Sequence, residues 1–351
     1  MDQEYIERLS KIEKELEHWL PENPDNEWVK NAFPNLGQDA DESSLLSLIT
    51  PLRELLFRGG KRWRPLLMTL VCETLGGRDA AVPLTPIVEF SHNASLIHDD
   101  IEDESDMRRG KPSIHKLFGI DTAINSGSFF YFLAACCIDK YTQQENSLIG
   151  REQIYKLWHD CMRRLHLGQA MDINWHRNVS TVPTIDEYFL MCKLKTGSLA
   201  RLATELGAHA AGASPEVVRQ LVEATDKMGI GFQVLDDVKN LTTGIPGKKL
   251  GDDVVEGKKG LPVLLYMHKY PEKRERIFYY FHVAKHEGVR APEIEELIDT
   301  LKSADIFKEA EEKGISFLRE TKEIYGAKAF AGLPINENAR KLLDGFIDLI
   351  S

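Results

Sequence analysis

The chain has 351 residues, 42% of them hydrophobic and 28% charged, with a formal net charge of −11 at pH 7. That length gives one large domain or two ordinary ones, with enough chain to bury a sizeable core. The acidic balance argues against nucleic acid as the main partner, because phosphate backbones recruit basic surfaces.

The opening residues, MDQEYIERLSKIEKELEHWL, place charged and apolar residues at helical spacing but carry neither a basic n-region nor an apolar core. They predict an amphipathic helix and no signal peptide. PENPDNEW and NAFPNLGQDADESS then form a polar, Pro-interrupted connection, so residues 1–40 are expected to be a helical arm and linker, mobile or facing a partner. From about Glu42 onward helical segments alternate with short breakers: RGGKR, LGGRDAAVP, AAGASPE, TTGIPGKKLG, EGKKGLP, YP and GLP. No segment alternates with period 2 between hairpin turns, so no sheet is expected. The expectation is all-α, one helical domain over 41–351, whose segments from Glu293 onward are surface helices with charged outer faces. No apolar run approaches the roughly 18 residues that span a bilayer. The cysteines at 72, 136, 137, 161 and 192 are odd in number and form no C-x-x-C pair, which predicts free thiols and a cytoplasmic setting.

Residues 95–112, SLIHDDIEDESDMRRGKP, gather six acids and then two arginines. Ile87, Phe90, Ala94, Ile97 and Ile101 step by three and four, the pattern of an amphipathic helix. On it Asp99 and Asp103 are one turn apart, with Asp100 beside them. Paired carboxylates at that spacing are hard oxygen ligands for Mg2+, an ion that shares its sphere with substrate phosphates. A solvated helix end is the plainer reading. Against it, the acids follow an apolar run directly, and Arg108 and Arg109 supply forked donors matched to phosphate. Glu102, Glu104 and Asp106 are expected to be solvated. A second acidic motif lies in GIGFQVLDDVKNL, residues 229–241: Asp236 and Asp237 end an apolar run, and Asn240 takes the i+4 position. Two such helix ends, face to face in a bundle, would make a metal site.

These motifs resemble those of the trans-isoprenyl diphosphate synthases of the polyprenyl synthetase family, most like geranylgeranyl diphosphate synthases. The resemblance runs from about Leu45 to beyond Pro262, and residues 1–40 lie outside it. It implies a bundle of the isoprenoid synthase type with a central cavity, three Mg2+ ions with Mn2+ as a substitute, no nucleic acid, and a homodimer. In GGKRWRP, Gly60, Lys61 and Arg64 match the segment that binds isopentenyl diphosphate, completed by His92 and Arg109, while Trp63 and Pro65 read as core and helix-start residues. Arg108, Lys195, Thr196, Gln233, Lys248 and Lys258 match residues around the allylic diphosphate, and Lys249 and Lys259 read as solvated. Asp99, Asp103 and Asp236 match the principal metal ligands, with Asp100, Asp237 and Asn240 completing the motifs. Many members carry an aspartate in place of Asn240, so that metal contact is expected to be weaker. Gln169 and Asp172, in GQAMD, match a helix segment near the metals.

The implied reaction ionises an allylic carbon–oxygen bond and lets the isopentenyl double bond attack the cation. Released diphosphate takes the proton, so no side chain is assigned as general base. Residues four, seven and eleven before Asp99 fall within about 40° of its face on an ideal helix. These are Ser95, His92 and Val88, and Ser91 and Ala94 join the pocket set. In the family, aromatic residues four or five positions before the first Asp stop growth at C15. Ala94 and Ser95 are small, so a C20 product is expected, with C25 or longer next. Phe129, Phe130 or Phe132 in SFFYF would form a deeper floor. Two other classes compete. A class I terpene cyclase would need an acid where Gly244 stands and no second diphosphate segment. A non-catalytic subunit of a heteromeric synthase would lack an Asp motif or the cationic residues.

Overall fold

The computed structural model describes residues 3–36, 41–144, 147–244 and 249–350. Its helices follow one another as α1 (Gln3–Trp19), α2 (Asn26–Ala32), α3 (Glu42–Leu56), α4 (Trp63–Thr74), α5 (Thr85–Glu102), α6 (Ile114–Phe118), α7 (Ile120–Thr142), α8 (Arg151–Arg177) and α9 (Ile185–Lys195). After these come α10 (Gly197–Ala210), α11 (Pro215–Thr242), α12 (Asp252–Val255), α13 (Leu261–Lys269), α14 (Arg274–Glu287), α15 (Pro292–Ser303), α16 (Ile306–Glu323) and α17 (Glu337–Ile350). Two strands, β1 (Met107–Arg108) and β2 (Lys111–Pro112), follow α5. No helix among the described residues is long and apolar enough to cross a membrane. The chain divides into two units, the first comprising 1–160, 199–222 and 325–346, the second 161–198, 223–324 and 347–351.

In the first unit α5 packs along α7, with α1 and α4 on its other sides. The α5–α7 approach is close because Gly127 has no side chain: a Cβ there would lie 2.9 Å from the His98 ring and 3.1 Å from Ile97. Helix α4 buries Leu66, Leu67, Met68, Leu70, Val71 and Cys72, as expected of a helix apolar almost all round. Helix α1 is not a loose arm. Ile12, Leu16 and Leu20 are fully buried, the Tyr5 hydroxyl donates to the Leu342 carbonyl (2.6 Å), and Arg8 pairs with Glu73 (2.6 Å). The apolar stripe read from the sequence is what docks it. Residues 37–40 of the expected linker lie outside the described residues.

The two strands form an antiparallel hairpin, Met107 opposite Pro112 and Arg108 opposite Lys111. Arg109 (φ 52°) and Gly110 (φ 75°) both take left-handed backbone, the geometry of the tightest hairpin turn. Strands of two residues carry no readable alternation, which is why none was expected.

In the second unit, α9 starts on a capping box: the Glu187 N–H donates to Thr184 Oγ1 (3.2 Å), and Glu187 Oε2 accepts the Thr184 N–H (2.7 Å). Its core gathers Tyr188, Val234, Leu261, Leu264, Met267, Phe281 and Leu297. Helices α15 and α16 bury Ile294, Leu297, Leu301, Ile306 and Ala310 on one face and keep their charged residues outward.

Candidate active site

Asp99 and Asp103 stand at the C-terminal end of α5, both half-buried, with Asp103 as its capping residue. A helix C-terminus carries partial negative charge, so these carboxylates sit where a cation is favoured. Asp100 points the other way and is fully buried. Its Oδ1 accepts from Arg108 Nε (2.8 Å) and Nη2 (2.5 Å), and Arg108 Nη2 also reaches Asp99 Oδ2 (3.4 Å). Burial pushes the Asp100 carboxyl upward in pKa, and Arg108 opposes that shift. Asp100 is thus the anchor that aims Arg108.

The adjacent arginine is held by different partners. Arg109 Nη1 donates to the carbonyls of Gly59 (2.6 Å) and Leu55 (3.2 Å) and to Asn93 Oδ1 (3.3 Å). Gly59 (φ 97°) and Gly60 (φ 137°) are left-handed, and a Cβ on Gly60 would come 3.3 Å from the Arg109 guanidinium. The glycines let the loop fold around that charge. Burial lowers the Arg109 pKa to about 10. Lys61 is exposed, and Arg64 stacks 4.2 Å over the Trp63 ring. Burial, with Arg64, Arg109, Arg108 and Arg62 around it, holds His92 well below its ordinary pKa, so its imidazole is neutral. Arg58 also belongs here. Its Nη1 bridges the Arg108 (3.1 Å) and Pro112 (2.9 Å) carbonyls and so braces the hairpin. Nothing in the sequence separates Arg58 from an ordinary surface arginine.

Along α5 behind Asp99, Val88, Ser91 and Ala94 are fully buried, whereas Ser95 is half-buried with its hydroxyl on the His92 carbonyl (2.8 Å). Ser91 Oγ accepts from Trp158 Nε1 (3.3 Å). Phe130 is buried against Phe90 (4.7 Å between rings), and Phe129 stacks on Phe33 (5.5 Å). Phe132 is 68% exposed, so it is not a floor residue; it falls on the outward face of α7.

The second unit builds its cluster with one device used twice. Gly168 on α8 approaches the end of α9 so closely that a Cβ would sit 2.4 Å from the Lys195 backbone nitrogen. One turn later Asp172 takes Lys195 Nζ at 2.6 Å. Gly229 on α11 meets Gly197, a Cβ falling 2.7 Å from its Cα. One turn later Gln233 Oε1 accepts from Thr196 Oγ1 (2.7 Å). Gln233 Nε2 passes the chain on to Asp237 Oδ1 (2.9 Å), and Asp237 Oδ2 accepts from the Tyr188 hydroxyl (2.6 Å) and the Leu261 N–H (2.8 Å). Tyr188 is a member the sequence did not announce. Lys258 pairs with Glu256 Oε2 (2.5 Å), while Lys259, expected to be solvated, is 5% exposed and donates to the Trp175 carbonyl. Gln169 is half-buried next to Gly168, and Lys248 lies outside the described residues.

A family model for polyprenyl synthetase matches residues 47–298. The chain belongs to the polyprenyl synthetase family. It is 34% identical over 255 residues to a short chain isoprenyl diphosphate synthase of Methanocaldococcus jannaschii, covering 71% of this chain and 75% of that one. It is likewise 34% identical over 226 residues to a geranylfarnesyl diphosphate synthase of Aeropyrum pernix, covering 63% and 70% of the two chains. The crystal structure of a geranylgeranyl pyrophosphate synthetase from Pyrococcus horikoshii superposes with a TM-score of 0.78 at 26% identity, over 99% of each chain. The all-α isoprenoid synthase fold is thereby shown, and as a polyprenyl synthetase the chain is a trans-prenyltransferase.

Polyprenyl synthetases generally act on diphosphates with Mg2+, and the donors here suit that ion unequally. Asp99, Asp103 and Asp236 are half-buried carboxylates. Asn240 is fully buried, and neither its Oδ1 nor its Nδ2 has a hydrogen-bond partner. Such an orphaned pair in a protein core points to an outside partner, as a ligated ion or its water would be. Asp237 departs from the motif reading, since its two oxygens already carry three donors and burial pushes its pKa up to about 7. Among the described residues no three His, Cys, Asp or Glu side chains gather to hold a metal. Few protein ligands per ion, with phosphate and water as the rest, is the usual Mg2+ arrangement.

Proposed function

We propose that this polyprenyl synthetase condenses isopentenyl diphosphate head-to-tail with an allylic diphosphate (dimethylallyl, geranyl or farnesyl), giving an all-trans product of C20. The observation that carries this reading is the division of the hairpin arginines. Arg108 is tied to the acidic helix end through Asp99 and Asp100, and Arg109 to the Gly59–Gly60 loop. That makes two distinct anion-binding settings in the first unit, one beside metal-ligand candidates and one away from them, at the glycine loop. A terpene cyclase needs only the former.

Asp99 and Asp103 in the first unit, and Asp236 in the second, are the candidate ligands of the Mg2+ ions, three in number, which would neutralise the leaving diphosphate when bound. Arg108 in the first unit, and Lys195 and Lys258 in the second, are the cations assigned to the allylic diphosphate, and preorganised electrostatics is usually the largest catalytic contribution. Lys61, Arg64, His92 and Arg109 bind the isopentenyl diphosphate, and the neutral His92 adds a polar contact without repelling the arginines. Asp100 and Asp237 act as positioning residues. The outward row Ile120, Ile124 and Phe132 on α7 supports a homodimer, because an exposed apolar stripe along one helix face is the kind of surface a second copy covers. The five free cysteines support a cytoplasmic setting.

The small Ala94 and Ser95 before Asp99 support C20 over C15. The test is the product profile of the purified chain with isopentenyl diphosphate, Mg2+ and each primer. A C20 product from dimethylallyl or farnesyl diphosphate is expected. Mainly C15 would refute the chain-length reading, and no consumption of isopentenyl diphosphate would refute the catalytic one.

A further inference from the structure

Helix α1 precedes the stretch matched by the family model, residues 47–298, and on the sequence alone has no role. In the first unit it contributes one acid to a buried chain of polar groups. Glu13 Oε1 accepts from Arg62 Nε (2.7 Å), and Arg62 Nη1 donates to Glu89 Oε1 (2.9 Å). The same Glu89 oxygen accepts from Asn93 Nδ2 (3.0 Å), and Asn93 Oδ1 accepts from Arg109 Nη1 (3.3 Å). The Arg62 and Glu89 side chains are each 3% exposed, whereas that of Glu13 is 40% exposed.

From this geometry we infer that Glu13, Arg62, Glu89 and Asn93 form a positioning relay through which α1 sets the isopentenyl diphosphate subsite. The inference rests on the function proposed above. Arg62 and Arg109 grip one turn from two sides. Arg62 Nη2 holds the Leu56 carbonyl (2.6 Å), and Arg109 Nη1 holds those of Leu55 and Gly59. Whatever fixes Arg62 therefore fixes both the loop that presents Lys61 and the frame against which Arg109 lies. Charge matters as much as shape. Arg62, Arg64, Arg108 and Arg109 crowd around His92, and so many cations hold together only if buried acid lies among them. Glu89 supplies it inside, and Glu13 supplies it from α1. Neither touches the substrate. They act through Arg62 and Asn93, which hold the Lys61 loop and Arg109.

The test compares wild type with Glu13→Ala and Glu89→Gln, each assayed for the KM of isopentenyl diphosphate, the KM of the allylic substrate, kcat and Tm. Removing the half-exposed Glu13 partner should raise the KM for isopentenyl diphosphate about threefold, the scale of a partly exposed ion pair. Glu89→Gln should raise it about tenfold, because the buried partner is lost. The allylic KM should stay within about twofold in both, a split that general loss of stability does not produce. A fall in Tm with both KM values unchanged, or both rising together, overturns the relay. Glu13→Ala keeps the test decisive if Glu89→Gln fails to fold. Calorimetric titration with inorganic pyrophosphate in EDTA separates this inference from the function it rests on. If the wild type consumes no isopentenyl diphosphate, weaker pyrophosphate binding by Glu13→Ala still supports the relay, and equal binding refutes it.

Discussion

Gly168→Ala puts the construction of the second cluster to a direct trial. On helical propensity alone the change should stabilise α8 by about 1 kcal/mol, since alanine is the better helix former. The structure predicts the opposite sign. The new methyl would lie 2.4 Å from the Lys195 nitrogen and 2.8 Å from the Leu194 carbonyl carbon, and both are backbone atoms that cannot rotate away. Ordinary contact begins near 3.4 Å, so α8 must retreat from the end of α9 by about 1 Å. The Asp172–Lys195 bond, 2.6 Å long, then stretches beyond hydrogen-bonding range. Overpacking of this kind costs about 1–3 kcal/mol, leaving a net destabilisation of up to about 2 kcal/mol. The larger effect falls on rate, because a 1 Å misplacement of a group that binds the reacting anion can cost about 10²-fold. Urea unfolding followed by circular dichroism, with steady-state kinetics on the same preparation, measures both. A variant that is more stable than wild type and keeps its rate within about threefold would refute the close approach and the role given to Asp172.

Three further substitutions test separate parts of the site. Tyr188→Phe removes the donor to a buried carboxylate and should cost about 1–3 kcal/mol of stability, while kcat falls about tenfold as Gln233 and Thr196 lose their register. Ser95→Phe should shift the product distribution toward C15 by chromatography with little loss of stability, because Ser95 is half-buried; Ala94→Phe, in a fully buried position, should lower stability by about 1–3 kcal/mol as well. Lys259→Met concerns pH. Burial lowers the Lys259 pKa from 10.5 to about 8, with Asp172 opposing the shift. The folded state therefore disfavours the charged form, a penalty of about 3 kcal/mol that is fully present below pH 8. Between pH 8 and 10.5 the unfolded chain binds the proton that the folded one has lost, so stability rises with pH across that window. Methionine should thus be more stable at pH 7 by about 2 kcal/mol, after loss of the bond to the Trp175 carbonyl, and in urea midpoints the difference should fall with pH and change sign at about pH 10.

Much of the site was legible because its signals are periodic. The step of apolar residues through Ile97 and Ile101 put Asp99 and Asp103 on one side of a helix end, and the structure has them there. What was hidden is the division of each doublet. Asp99 and Asp100, Arg108 and Arg109, Asp236 and Asp237, and Lys258 and Lys259 are chemically identical neighbours, yet each pair separates into two surroundings. Adjacent residues point about 100° apart on a helix, as the two aspartate doublets do, and diverge likewise in the hairpin and the loop, and only packing decides which of the two is buried. The sequence likewise shows glycines inside α8 and α11 without saying why they are tolerated. The backbones of Lys195 and Gly197, which they meet, lie far away along the chain. The docking of α1 was missed for a related reason, since an apolar stripe shows that a helix will bury one face but not where.

The division of the chain into units also bears on how it folds during synthesis. The first unit begins with α1 yet recruits residues 325–346. The Tyr5 hydroxyl waits for the Leu342 carbonyl (2.6 Å), and Asn338 Nδ2 for Glu4 Oε2 (2.8 Å), across more than 330 positions. At about 5–20 residues per second, translation takes tens of seconds to deliver those partners. Until then α1 and α4 carry apolar faces that lack their last covering segment. Helix α1 can pack on α4 and α5 early, but its last contacts, with residues 338–342, form only near the end of synthesis. A nonsense mutation removing only residues from about 325 onward would strand the first unit, although every candidate catalytic residue precedes that point.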